Sequence, residues 1–282
     1  MKIIYLSAFM LAVSSPVLAQ SLDLGGNPGS APVPIQITAT QGISWSQNTN
    51  TVTATGNAVA VRGAVTVTAD QLIAHYVKNQ NKTASSSGAE DVLTQGNAQL
   101  TELDAVGHVH IYTATDNAWG DRAVYSTSQQ VLVLTGHDLK LTTPKDMVTA
   151  LDSIEYYTGE HKAIARGNAH ITTIDGRSIS ADVITGYFTA KAENGTDGNL
   201  QKVEALGNVV IVTPSDTATG DKAVYMPQTG DARLGGNVHI THGGNELAGS
   251  DALVNMKVGT ATLLAAPGGQ VSGIILPGSG KN

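Results

Sequence analysis

A glycine followed by a polar residue recurs along this chain, in most copies at the head of an apolar alternation. The sites are Gly56-Asn57-Ala58, Gly107-His108-Val109, Gly136-His137-Asp138, Gly167-Asn168-Ala169, Gly207-Asn208-Val209 and Gly236-Asn237-Val238. A second marker, a small residue near an aspartate that opens a β-like run, falls at Asp70, Asp121, Asp152, Asp182, Asp221 and Asp251. From each glycine to its following aspartate the separations are 14, 14, 16, 15, 14 and 15 residues. Two segments, AVGHVHIYTATDNAWGDRAVY from Ala105 and ALGNVVIVTPSDTATGDKAVY from Ala205, align without a gap at an offset of 100. Such self-similarity means one structural unit stacked on copies of itself.

Between the markers the period is two. Val109 and Ile111 alternate with His108, His110 and Tyr112; Val238 and Ile240 alternate with Asn237 and His239; Ala169 and Ile171 alternate with Asn168 and His170. This is the pattern of a strand with one dry and one wet face. Glycine supplies positive φ and the Asx residues cap backbone, so the markers are read as turns. Each unit is then a strand plus its turn, and consecutive strands pair antiparallel as a meander. Residues 35–276 hold roughly sixteen such strands. A flat meander of that size leaves a face unburied, so the reading is all-β: one folded-over antiparallel stack with a hydrophobic interior. Two longer intervals, Gly56 to Gly107 and Gly167 to Gly207, contain the polar runs 79–92 and 188–199, which read as loops. A domain boundary over 79–90 is the alternative; resumption of the pattern on both sides favours a continuous stack.

Composition narrows the function. Of 282 residues none is cysteine, which removes disulfides, thiolate metal sites and cysteine nucleophiles. The net charge of -7 argues against a nucleic-acid binder, which needs a basic face. Lys2, the apolar run Ile3 to Val13 and Val17-Leu18-Ala19 have the form of a cleavable signal peptide over residues 1–19. Residues 20–34 read as a flexible leader and 277–282 as a flexible tail. The expected compartment is the periplasm or the exterior.

The runs Gly120-Asp121-Arg122-Ala123-Val124-Tyr125 and Gly220-Asp221-Lys222-Ala223-Val224-Tyr225 carry a family resemblance, with Ala69-Asp70-Gln71-Leu72 and Ala181-Asp182-Val183-Ile184 as looser copies. In an exported chain with recurrent Gly-Asn-Val alternation, they resemble the LptA/OstA family of periplasmic lipopolysaccharide-transport proteins, over about residues 38–255. The resemblance implies a bent antiparallel β-jellyroll over 35–276 whose hydrophobic groove carries acyl chains between an inner-membrane complex and an outer-membrane translocon. It also implies domains that stack end to end. The chain is longer than a typical member, which implies added strands or a neighbouring component of the same machinery.

Alternation gives a candidate inward column: Val109, Ile111, Ile171, Val209, Ile211, Val238 and Ile240. The second residue after each aspartate adds Leu72, Ala123, Ile154, Ile184, Ala223 and Leu253. A methylene buried there is worth about 0.8 kcal/mol, so several acyl chains bind without a charge contact. Ile35 and Ile37 mark a candidate N-terminal edge, and Val271 and Ile274 a C-terminal one, each able to accept a partner strand. Head-to-tail self-association through unlike edges is a further expectation.

Catalytic readings are weaker. The six aspartates lack the dense series of a calcium-binding solenoid, and read as caps. His108 and His110, like His239 and His242, have metal-like spacing but no identifiable third ligand. Ser85-Ser86-Ser87 lacks a nucleophile-elbow context. No enzyme activity, metal or cofactor is expected. The alternatives are a β-solenoid adhesin or structural protein, with parallel coils, and a polysaccharide-acting enzyme, with carboxylates clustered on one exposed face.

Overall fold

The computed structural model describes residues 35–78, 98–189, 200–242, 245–255, 260–266 and 269–274. The signal peptide, leader, tail, most of both expected loops and Ser85-Ser86-Ser87 lie outside these residues.

Every regular element described is a strand. In chain order they are β1 (Gln36–Thr38), β2 (Gly42–Ser46), β3 (Thr51–Arg62), β4 (Val65–Lys78), β5 (Ala98–Tyr112) and β6 (Asn117–Ser126). Next come β7 (Val131–Thr135), β8 (Leu139–Thr142), β9 (Asp146–Ala150), β10 (Ser153–Tyr157), β11 (Lys162–Thr173) and β12 (Ser178–Phe188). The last are β13 (Leu200–Val212), β14 (Asp216–Met226), β15 (Asp231–His242), β16 (Asn245–Asn255), β17 (Thr260–Leu264) and β18 (Ser272–Ile274).

The chain forms two compact units. The N-terminal unit runs to Pro144 and takes back Asp152–Lys162; the C-terminal unit takes Lys145–Leu151 and everything from Ala163. In the first, β2 to β7 pair in sequence, with β1 on β3, β8 on β6 and β10 on β7. In the second, β12 to β17 pair in sequence, with β9 on β11 and β18 on β16. All these pairings are antiparallel, as the period and the short connections predict, and unlike a parallel solenoid. Among the described residues eighteen strands stand where roughly sixteen were expected. Part of the excess comes from β1/β2, β7/β8 and β17/β18, each pair lying along one long neighbour where a single broken strand would.

Five of the six glycine-polar markers are not turns: they lie inside β3, β5, β11, β13 and β15, while the sixth, Gly136-His137, stands between β7 and β8. In four of the five strands the register slips at the marker, between Thr55 and Ala58, Val106 and Val109, Leu206 and Val209, and Gly235 and Val238. Two residues face one across each slip, which defines a β-bulge and bends the strand. Both bulge residues have positive φ: Gly207 at 77° and Asn208 at 49°, for example. Glycine and the short Asx side chains tolerate that region. Sequence periodicity could not separate the two readings, because glycine with Asx marks a turn as well as a bulge. The hairpin turns themselves carry a different signal, Thr-x-x-Asp, at 113–116 and 213–216. The Thr213 amide donates to the Asp216 carbonyl at 2.8 Å and the Asp216 amide to the Thr213 hydroxyl at 2.9 Å; Thr113 and Asp116 repeat both bonds at 2.9 and 3.1 Å.

The bulge also sets which residues face inward. On β13 the buried positions Val203, Ala205, Val209 and Ile211 keep one parity, whereas on β14 they run Ala218, then Ala223, with Asp221 and Lys222 both exposed between. The alternation breaks on the strand opposite the bulge, where one residue spans two.

Candidate functional site

Eleven of the thirteen column residues are buried. In the N-terminal unit these are Leu72, Val109, Ile111, Ala123 and Ile154; in the C-terminal unit, Ile184, Val209, Ile211, Ala223, Val238 and Ile240. Ile171 is half-buried. Leu253 is a correction: it points outward, 44% exposed, and Ala252 is the buried residue. Gly235 pairs with Asp251 and Val238 with Gly249, so Ser250, not Asp251, stands opposite the bulge. Gly236 to Ser250 is 14 residues, the separation of the tightest copies, and counting from Ser250 places Ala252 inward.

Within the C-terminal unit a narrow cleft enclosing only ≈ 20 Å³ opens in this interior. Val203 and Ala205 border it before the β13 bulge and Ile211 after it, so the two arms of the bent strand face each other. Ile171 and Ala223 from the inward column line it too. Sequence reading missed Ile179, Val203, Ala205, Tyr225, Ala232 and Leu234, all lining residues, although the same period-two rule marks them when counted on from each bulge. The lining is apolar except for Tyr225, whose hydroxyl burial pushes above the ordinary tyrosine range while the Arg177 charge opposes it. The lining carries no carboxylate, imidazole or hydroxyl other than that of Tyr225.

The outer ridge is polar. Asp70 Oδ2 lies 2.8 Å from His108 Nδ1, and Asp121 Oδ2 lies 2.7 Å from His137 Nδ1 while accepting from its amide at 2.8 Å. In the C-terminal unit Asn208 donates to Asp182 at 3.1 Å and Asn237 to Asp221 at 3.2 Å. Asp70, Asp182 and Asp221 thus tie down the residue after a bulge glycine, and Asp121 the residue after Gly136 in the break between β7 and β8. His110 Nε2 meets Asn117 Oδ1 at 3.0 Å, and His242 Nδ1 meets Asp216 Oδ1 at 2.5 Å. Among the described residues no three His, Asp or Glu side chains gather as a metal would require.

At the candidate edges Ile35 and Ile37 are half-buried, with Ile37 opposite Ala60 of β3. Val271 is 50% and Ile274 62% exposed.

These features define a class: antiparallel β proteins whose bulged strands close two arms over an apolar interior. Within that class the chain belongs to the LptA/(LptD N-terminal domain) LPS transport protein family, whose model matches it twice, over residues 36–162 and 152–260. The shared stretch 152–162 contains β10. The chain is also similar to the crystal structure of LptH, the LptA-homologous periplasmic component of the conserved lipopolysaccharide transport device from Pseudomonas aeruginosa. That match has 18% identity and a TM-score of 0.39, and covers 47% of this chain and 95% of LptH. No curated protein is significantly similar in sequence.

Proposed function

We propose that this chain is a periplasmic carrier, exported by a cleavable signal peptide, that shelters lipopolysaccharide acyl chains between its β arms and passes them from inner to outer membrane. Family membership supports the transport role. The observation that carries the acyl-chain reading is the C-terminal cleft, lined from both arms by aliphatic side chains and alanines. Each methylene moved there from water contributes about 0.8 kcal/mol, and the sugars and phosphates stay solvated at the open side. The inward column from Leu72 to Ile240, without Leu253, is the proposed lipid path. The inner-membrane Lpt complex and the outer-membrane translocon would dock by strand addition at β1/β2, with Ile35 and Ile37, and at β17/β18, with Val271 and Ile274. The same unlike edges would support head-to-tail self-association.

The test is a photo-crosslinking residue at Ile211, 3% exposed, against the neighbouring half-buried Val210, in cells making lipopolysaccharide. An adduct at 211 and none at 210 is the expected result. Equal labelling, or none in a folded exported protein, sinks the carrier reading.

A further inference from the structure

We propose that the outward sheet face of the N-terminal unit is a second binding surface, for an extended acidic glycan of the compartment wall, with Tyr112, His110 and Trp119 as its apolar centre and Lys140 as its charge. The occupant rests on the export part of the reading above and not on lipid carriage.

The registers lay this face out as two rows that cross six strands. Thr38, Val59, Thr68, His110, Trp119 and Lys140 are successive cross-strand neighbours, and Gln36, Val61, Thr66, Tyr112, Asn117 and Thr142 form the row beside them. Ala60, Val67, Ile111 and Ala118, which alternate with them, are buried, whereas every member of the two rows is half-buried or exposed. At the usual strand spacing each row is about 24 Å long, and its step per strand is close to one pyranose of an extended chain. Neither row contains a carboxylate, in a chain of net charge -7. Besides two valines they offer hydroxyl, amide, ring and one ammonium group. These are the groups that meet a sugar's hydroxyls, its C–H faces and a carboxylate. The interior lies on the other side of the sheet, so the rows suit a separate polymer and not a lipid sheltered inside.

The centre is a fixed stack. His110 lies against Trp119 with ring centroids 4.9 Å apart and planes 4° from parallel, and against Tyr112 at 4.7 Å and 28°. Lys140 Nζ stands 4.5 Å over the Trp119 ring, and His110 Nε2 meets Asn117 Oδ1 at 3.0 Å. Side chains already held in place lose little freedom on binding, and Tyr and Trp present an apolar body with a polar tip. The C-terminal unit shows that the fold does not require them. At the matching positions it carries Val210, Val212, Thr219 and His239, and the row through Val212 ends at Glu246. The ridge beside the rows differs in the same sense. Asp70 and Asp121 are tied to His108 and His137, whose protonation the carboxylates favour, while Asp182 and Asp221 are tied to neutral asparagines. Negative charge is thus offset next to the aromatic rows and left standing in the other unit, which favours an anionic partner on the first.

The experiment co-sediments the mature full-length protein with purified murein sacculi, an insoluble N-acetylated glycan bearing carboxylates. Wild type is expected in the pellet, in an amount that falls as salt rises. Trp119→Thr and Tyr112→Val, which install the residues of the C-terminal unit, are each expected to weaken binding on the order of tenfold with the circular dichroism unchanged. Lys140→Ala is expected to weaken it on the order of threefold and to flatten the salt dependence, and it carries the test if either aromatic variant fails to fold. Thr219→Ala, on the other unit's face, should pellet like wild type. Displacement by the deacylated saccharide of lipopolysaccharide would give the face to the cargo's own sugars and overturn the wall assignment. Failure of wild type to pellet, or Trp119→Thr and Lys140→Ala pelleting like wild type, overturns it as well. If Trp119→Thr instead breaks up a dimer seen by sedimentation velocity, the face joins two copies and the proposal is wrong. In each of these cases the carrier reading is judged separately, by the adduct at 211.

Discussion

Asp70 and Asp121 hold histidines where Asp182 and Asp221 hold asparagines, so an imidazole stands in the ties of one unit and a neutral amide in those of the other. The hydrogen bond to its carboxylate raises each imidazole, His108 and His137, above the ordinary 6.5; Asp121 adds to the effect on His108 and Asp138 to that on His137. A raised histidine contributes stability that is complete below its unfolded value and is lost as pH rises through the folded one. Asp121 is lowered, first by the His137 amide, so its share is present above the unfolded carboxylate value and lost as pH falls through the folded one. Both pairs are solvent-exposed and the effect is small. The thermal midpoint should fall slightly between about pH 6 and pH 8, and a His108→Asn/His137→Asn variant should lose that slope. Glycine offers a sharper test. Gly207 and Gly176 have similar φ, 77° and 81°, but a Cβ on Gly207 would collide with the Asp182 carboxylate, whereas Gly176 faces open space. Gly176→Ala should cost about 1 kcal/mol and Gly207→Ala about 2–3 kcal/mol, measured by denaturant unfolding.

At the scale of the strand, the bulge decides facing. Because one residue spans two at each slip, inward positions on the opposite strand are three apart there and two apart elsewhere, as Ala69 and Leu72 show on β4. That spacing puts Ala252 inside and Leu253 outside on β16. Leu253→Ser should therefore change stability by no more than about 0.5 kcal/mol, while Leu72→Ala, removing a side chain 1% exposed, should cost about 2–5 kcal/mol. Equal losses in equilibrium unfolding would mean that the β16 register is misassigned. The bulges also bend strands of 10 to 15 residues, which would otherwise run on as long flat ribbons.

For the molecule as a whole, the chain's path between units has a consequence for dissection. β10 pairs with β7 and buries Ile154 and Tyr156 in the N-terminal unit, although β9, which precedes it, pairs with β11 in the C-terminal unit. A fragment ending at Lys162 should therefore unfold cooperatively at a higher temperature than one ending at Pro144, which lacks β10. Circular dichroism melts would check this, and identical melts would show that β10 adds nothing to that unit.

The all-β class, the antiparallel pairing and the burial of eleven of the thirteen chosen column residues were legible in the sequence, because period two records a strand's dry face wherever it occurs. The Gly-Asx repeat was legible as a repeat but not as a bulge, since positive φ and a short polar side chain serve turns and bulges equally. Whether Asp251 or Ser250 faces the slip depended on hydrogen-bond register across two strands, which a one-dimensional pattern does not contain. The cleft needed the third dimension most. Ala232, which lines it, went unread in the sequence, because a one-dimensional pattern does not say how much space a buried side chain leaves beside its neighbours.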